Sequence, residues 1–204
     1  MFTKINKLYA LDLLNGKVLD FAKLKLVLIN ALLFFVPLFI GEPQVLIGTI
    51  VNIFLIYIAL NFKKGNLLPA IFLPAIATLL RNVLLGPFTL YLAVLMPFIW
   101  VANGIFVMLI RMSVSKGQSA GMVSLEAGTN GRGMSPRMAG ATGLAIAVVA
   151  KSLFLFTCTF AIISIFKFPT VLLIAMGPLQ LLTSGLASIV FFLYSRNTHF
   201  FKKI

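Results

Sequence analysis

Several hydrogen-bonding side chains fall within long apolar stretches of this sequence, where they could bind the polar groups of a small solute. Gln44 and Asn52 lie eight residues apart and therefore share one face of a helix. Gln180 begins a second polar stripe at helical spacing, and Asn103 lies close to Trp100 in another apolar stretch. Such groups are costly in lipid and usually face a bundle interior or a cavity. Helix packing is the competing explanation, because small and hydrogen-bonding residues also hold membrane helices together.

Lys151 is a cation within an apolar stretch and needs an explanation of its own. Its side chain could extend to the inner membrane surface, bind a solute or a partner subunit, or lose its proton. The chain has four acids, none of them well inside an apolar stretch: Asp12, Asp20, Glu42 and Glu126. The sequence therefore offers no internal carboxylate partner for Lys151, and these alternatives stay open.

The groups that catalysis and metal binding require are scarce. The chain has one cysteine, Cys158, and one histidine, His199, and no pair of acids inside an apolar stretch. Ser152 follows Lys151 directly, but adjacent residues on a helix point about 100° apart, so the two do not form a ready Ser-Lys dyad. We therefore expect no catalytic residue, no metal site and no cofactor.

The candidate residues lie on a predicted set of six transmembrane helices. Of the 204 residues, 61% are hydrophobic and 10% are charged, whereas about a quarter are charged in a soluble domain. A helix needs about 20 residues to cross the hydrocarbon. Six apolar stretches approach or exceed this length: 26–40, 45–62, 67–85, 90–110, 138–166 and 171–194. The predicted fold is an all-α polytopic membrane protein.

These stretches divide the chain into five segments. Residues 1–25 form a cytoplasmic or interfacial N-terminal segment, which is either an amphipathic surface helix or an ordinary tail. Residues 26–110 contain transmembrane helices one to four, and residues 138–195 contain helices five and six. Between them, residues 111–137 are rich in Gly and Ser, which predicts a flexible cytoplasmic linker. Residues 196–204 form a basic cytoplasmic tail.

Positive charge is distributed unevenly along the chain. If the N-terminus is cytoplasmic, fourteen of the seventeen Lys and Arg residues lie inside, only Arg81 and Lys167 lie outside, and Lys151 lies within a helix. This bias predicts that both termini are cytoplasmic, in the cytoplasmic membrane of a prokaryote. It also explains the net charge of +13, together with attraction to anionic lipids of the inner leaflet. Because the basic residues are scattered, we expect no nucleic-acid binding.

This orientation predicts a pocket that faces outward. Gln44 and Gln180 then lie near the outer ends of their helices. Three further polar residues lie in or beside the short outer loops, as possible ligand contacts: Glu42, Arg81 and Asn82. Trp100 could stack on a flat ring of a solute or simply pack in the core. The expected solute-binding residues are Gln44, Asn52, Arg81, Trp100, Asn103 and Gln180.

Three short motifs carry a family resemblance: PQVLIGTIVN at Pro43–Asn52, MPFIWVAN at Met96–Asn103 and MGPLQ at Met176–Gln180. With six helices and both ends inside, the chain resembles the substrate-binding S components of energy-coupling factor transporters, or S-component-like bacterial membrane proteins. The resemblance covers roughly residues 26–110 and 138–195. It implies a vitamin or micronutrient bound in the outer half of the bundle, a transmembrane coupling subunit and two ATPases.

The sequence leaves three functions to compare. The first is a small-solute-binding subunit of a membrane uptake system, with its energy supplied by another chain because no ATPase motif is present. The second is a non-transporting assembly or scaffold subunit, in which the polar stripes only pack helices and Lys151 meets an acid of a partner. The third, which the residues favour least, is a membrane-embedded enzyme.

Overall fold

The computed structural model describes residues 21, 23–40, 42–85, 89–126 and 136–197, and within them the chain forms helices and no strand. In chain order these are α1 (residues 23–39), α2 (Gln44–Asn61), a 3₁₀ turn (Lys64–Asn66), α3 (Leu68–Leu85), α4 (Thr89–Glu126), α5 (Pro136–Phe166), α6 (Val171–Met176) and α7 (Pro178–Asn197). The predicted all-α class is confirmed for the described residues. The predicted segments 1–25 and 196–204 lie almost entirely outside them.

The helices have the length and composition of membrane spans. Five segments of the described chain are long and apolar enough to cross a bilayer: Gln44–Asn61, Lys64–Leu84, Thr89–Ser115, Gly140–Phe166 and Val171–Tyr194. Large apolar side chains also cover the outside of the bundle, and Phe39 and Leu84, for example, are each more than 70% exposed. A surface of this kind suits lipid rather than water. The chain therefore has the character of a multi-pass helical membrane protein.

Helix α4 is longer than the sequence predicted. It continues past Ile110 to Glu126, and α5 begins at Pro136, so the predicted flexible linker over 111–137 is wrong where the helices extend into it. Polar composition marks where the apolar stretch ends, but polar residues can continue the same helix. The sequence has no proline between Pro97 and Pro136, so no strong helix breaker interrupts α4 there. Residues 127–135 lie outside the described chain.

The last predicted span is divided into two helices. α6 ends at Met176 and α7 begins at Pro178, with Gly177 between them. Proline suits the first position of a helix, since its missing N–H has no helical acceptor there in any case. A Cβ at Gly177 would lie 2.5 Å from the Phe156 ring, so only glycine fits this close approach to α5.

Close contacts between small residues hold the helices together. α2 packs along α7, and a Cβ at Gly48 would lie 2.8 Å from Thr183 Cγ2. α4 packs along α5, and a Cβ at Gly143 would lie 2.1 Å from Ser113 Cβ. Backbones approach this closely in membrane bundles because small residues permit it. The main apolar core lies beside these contacts and includes Leu33, Leu55, Ile56, Ile58 and Phe106.

Arg111 fixes one end of the bundle. Its Nη1 donates hydrogen bonds to the carbonyl oxygens of Ala59, at 3.1 Å, and Phe62. The last carbonyls of a helix lack partners within the helix, so Arg111 of α4 caps the end of α2. Lys25 lies near the same end, with its Nζ 4.9 Å from the centre of the Tyr57 ring. The candidate site lies at the opposite end.

Candidate functional site

A cavity of about 440 Å³ lies among the helices at the end of the bundle where α2, α4 and α7 begin. Its volume falls in the range of about 300–1,000 Å³ that is typical of small-molecule sites. Eight of the nine polar or aromatic residues expected from the sequence line it: Glu42, Gln44, Asn52, Arg81, Asn82, Asn103, Lys151 and Gln180. The structure thus brings together residues from five different helices and the loop before α2.

The cavity has a polar rim, apolar walls and a polar floor. Gln44 is the first residue of α2 and Asn52 lies two turns further, so the cavity extends about 12 Å along this helix. Glu42 lies beyond Gln44 and is exposed. Apolar residues between rim and floor come from α2, α4 and α6: Ile47, Val51, Leu92, Met96, Ile99, Leu172 and Met176. This arrangement suits a molecule with an apolar body and polar ends.

Lys151 and Asn52 meet at the floor. Lys151 Nζ donates a hydrogen bond to Asn52 Oδ1 at 2.6 Å, and it lies 5.0 Å from the centre of the Phe106 ring. Asn52 Nδ2 donates to Thr183 Oγ1 at 3.3 Å, and Thr183 in turn donates to the Gln180 carbonyl. Lys151 is 3% exposed and Asn52 1% exposed. A connected polar network therefore joins α5, α2 and α7.

The position of Lys151 removes one of the alternatives that the sequence left open. Its amine is buried and bound to Asn52, so the side chain does not extend to the inner membrane surface. The partner is a neutral amide, and Glu42, the one acid whose side chain the structure describes, lies at the rim. Ser152 is also buried, but its Oγ has no hydrogen-bond partner, so the neighbouring residues form no Ser-Lys dyad.

Other polar residues of the cavity connect helices or bond within their own helix. Asn103 Nδ2 donates to the Ile71 carbonyl at 3.2 Å and joins α4 to α3. Arg81 Nη1 donates to the Ile40 carbonyl at 3.0 Å and so caps the end of α1. Asn82 Nδ2 donates to the Thr78 carbonyl of its own helix at 2.9 Å. Each of these contacts fixes a side chain at the cavity wall.

Trp100 is the one expected binding residue that the structure places elsewhere. It does not line the cavity, and its ring packs edge-on against Phe72 with centroids 4.9 Å apart. Its Nε1 is buried without a hydrogen-bond partner. The structure therefore places Trp100 in the packing between α3 and α4 and not at the cavity. Neighbouring residues Ile99 and Asn103 of the same helix face the cavity instead.

The sequence did not reveal Thr183, which lines the cavity and receives the Asn52 hydrogen bond. Four-residue spacing from Gln180 selects Ser184 and Ser188 instead of Thr183. Their hydroxyls donate to carbonyls of α7 itself, so they serve the helix rather than the cavity. The signal was present, because a residue three positions from Gln180 also shares its face.

Hydrogen-bond donors and acceptors lie at the rim and the floor of the cavity, with apolar walls between them. The floor offers the Lys151 amine, the Asn52 amide and the Thr183 hydroxyl, and the rim offers Gln44 and Gln180. Comparisons of the chain with family models, curated proteins and solved structures found no match.

Proposed function

We propose that this chain is the small-solute-binding subunit of a membrane uptake system and captures its solute from the outer side. The observation that carries the proposal is the convergence of eight polar residues on one cavity of about 440 Å³. Helix packing alone requires no such cavity, and packed membrane helices normally fill the space between them. A cavity with apolar walls and polar ends is the form that small-molecule sites usually take.

In this proposal, α1 is a sixth span, and the cavity faces outward with both termini cytoplasmic. The support is the distribution of charge on the bundle. Five cations whose side chains the structure describes lie toward the end away from the cavity: Lys23, Lys25, Lys63, Lys64 and Arg111. At the cavity end lie the cations Arg81 and Lys167 and the acid Glu42. Cytoplasmic loops are enriched in Lys and Arg, so the cavity end is the outer end, in the cytoplasmic membrane of a prokaryote.

Energy for uptake comes from separate chains in this proposal. The sequence contains no ATPase motif, so movement of the solute against a gradient requires a transmembrane coupling subunit and ATPases. The arrangement is that of the energy-coupling factor S components, which the motifs of α2, α4 and the α6–α7 region resemble. A vitamin or another micronutrient is the solute class that this resemblance implies.

A non-transporting assembly subunit is the second candidate, and the packing contacts favour it. Gly48 fits against Thr183, and the hydroxyls of Ser184 and Ser188 bond within α7. Gly48 of the α2 stripe therefore serves helix association, and the two serines of the α7 stripe are satisfied within their own helix, so none of the three requires a solute. A scaffold, however, gives no role to the cavity itself or to the Gln44 and Gln180 side chains at its rim.

Purification in lipid nanodiscs followed by native mass spectrometry distinguishes the two functions. We expect a stoichiometric small molecule on the wild-type protein and a reduced occupancy in Gln44→Ala and Gln180→Ala. Ser188→Ala is the matched control, because Ser188 is buried on α7 but does not line the cavity. A stable protein partner without any bound small molecule would instead support the scaffold.

A further inference from the structure

We propose that the solute carries a carboxylate, and that Lys151 binds this carboxylate at the floor of the cavity. The proposal rests on solute capture as the function and names the chemical class of the solute. Lys151 is the only cation at the floor among the residues that line the cavity. The acidic end of the solute would therefore enter first and lie deepest, about 12 Å from the rim.

The first argument is charge balance. A cation inside a membrane protein normally pairs with an acid, because an ion removed from water without a counter-charge is strongly unfavourable. Lys151 has only the neutral Asn52 amide as a hydrogen-bond partner within the described chain, and Glu42 lies at the rim. A solute carboxylate supplies the missing negative charge at the position where the fold places the positive one.

The second argument is hydrogen bonding. An ammonium group has three N–H donors, and Asn52 Oδ1 accepts one of them. Phe106 covers another side of the amine with its ring face, which attracts a cation but accepts no ordinary hydrogen bond. The amine therefore retains donor capacity beside the cavity that it lines. A carboxylate can accept these bonds, and such charge-assisted bonds are among the stronger ones in proteins.

The floor favours a monoanionic carboxylate over a phosphate. Phosphate sites usually combine several donors, such as an arginine fork or the N–H groups at the beginning of a helix. The described floor has one lysine, the Asn52 and Asn103 amides and the Thr183 hydroxyl, whereas Arg81 and the beginnings of α2 and α7 lie toward the rim. A single ammonium matches the single negative charge of a carboxylate.

The apolar walls of the cavity indicate the chemistry of the rest of the solute. Above Lys151 the cavity passes between apolar side chains such as Val51, Ile99 and Met176 before it reaches Gln44 and Gln180. We therefore expect a solute with an apolar body, a carboxylate at one end and a hydrogen-bonding group at the other. Glu42 and Arg81 at the rim allow that second group to carry either sign of charge.

Chemical masking of carboxylates provides the test. Wild-type protein in nanodiscs is incubated with a deproteinised extract of bacterial small molecules, or with the same extract after conversion of its carboxyl groups to methyl esters. Native mass spectrometry then measures occupancy and identifies the released molecule. We expect a carboxyl-bearing molecule from the untreated extract and an occupancy lower by about tenfold or more from the esterified extract, since one charged hydrogen bond is lost.

Lys151→Met is the matching variant and should reduce occupancy from the untreated extract to a similar extent. Lys64→Met is its control, because Lys64 is exposed at the other end of the bundle. If Lys151→Met does not fold, the two extracts on wild-type protein still decide the question. A bound molecule without a carboxyl group, or equal occupancy from both extracts, would contradict the proposal that the solute carries a carboxylate. Either result would still be consistent with solute capture. If neither extract yields a bound molecule, that result contradicts solute capture itself and therefore also the proposal that Lys151 binds a carboxylate.

Discussion

At the scale of single residues, Asn52 connects the packing of the bundle to its candidate site. Its amide accepts a hydrogen bond from Lys151 and donates one to Thr183, so it uses both of its polar ends. It is also almost fully buried and lines the cavity. A buried amide of this kind orients a neighbouring cation without neutralising it, which leaves the charge for another group.

Asn52→Asp tests this role of Asn52 directly. The new carboxylate would pair with Lys151 and occupy the position that we assign to the acidic group of the solute. We expect a midpoint of thermal unfolding in nanodiscs at or above that of the wild type, with solute occupancy lower by about tenfold or more. Asn61→Asp is the control, because Asn61 lies exposed at the end of the same helix. Undiminished solute binding by Asn52→Asp would contradict the assigned role.

Most of the candidate site could be predicted from the sequence, because a polar residue in an apolar helix usually faces the bundle interior or a cavity. Helical spacing and the cost of polar groups in lipid selected five residues that line the cavity, and proximity to the outer loops selected three more, Glu42, Arg81 and Asn82. Trp100 and Thr183 could not be placed in the same way. Trp100 lies beside the cavity-facing stripe of α4, whereas Thr183 lies on that of α7, and the rotation of a helix within a bundle depends on its neighbours as well as on its own sequence.

At the scale of helices, close approach of small residues determines how the bundle is assembled. The α4–α5 pair is the clearest case, because Ser113 lies against Gly143 with no room for a methyl group. The tight α2–α7 pair at Gly48 places Asn52 next to Thr183. Helix packing and cavity formation are therefore parts of one arrangement.

Gly143→Ala should separate α4 from α5. Its added methyl group would lie 2.1 Å from Ser113 Cβ and 3.6 Å from the Ser113 Cα atom, so the two helices must move apart. We expect a loss of about 1–3 kcal/mol in the free energy of unfolding, measured by denaturant titration in mild detergent. Gly104→Ala on α4 is the control, because its Cβ would meet no atom within 4 Å. That change should be neutral or stabilising, since alanine favours a helix. Equal effects of the two substitutions would contradict this packing.

The ends of the helices were less predictable than their existence. Hydropathy located the apolar stretches because lipid demands them, but helix α4 continues beyond its apolar part to Glu126. The break at Gly177–Pro178 lies inside an apolar stretch, where hydropathy has no signal. There the local residues carry the information, since glycine permits the approach to Phe156 and proline begins the next helix.

At the scale of the whole molecule, the uneven distribution of charge gives the bundle a direction. Lys63 and Lys64 lie in the turn between α2 and α3, at the end away from the cavity. Glu42 and Lys167 lie at the other end. Because cytoplasmic loops are enriched in Lys and Arg, we propose that the cavity opens to the outside.

Labelling of single cysteines in intact cells tests this orientation. Cys158, the one cysteine of the chain, is first replaced by serine, and Glu42→Cys, Lys167→Cys and Lys64→Cys are then made singly. We expect a membrane-impermeant maleimide to label the cysteines at positions 42 and 167 in intact cells, and the cysteine at position 64 only after permeabilisation. The reverse pattern would contradict the orientation and place the cavity toward the cytoplasm.

The central claim is that the cavity holds a small solute. A substitution that fills the cavity with a large side chain tests this claim most directly. Ala175 of α6 lines the cavity, whereas Ala161 of α5 is exposed on the outside of the bundle. The decisive measurement is solute stoichiometry by native mass spectrometry in nanodiscs for the wild type, Ala175→Trp and Ala161→Trp. We predict one molecule per chain on the wild type and on Ala161→Trp, and none on a folded Ala175→Trp. No solute on the wild type, or equal stoichiometry on all three proteins, would contradict the claim.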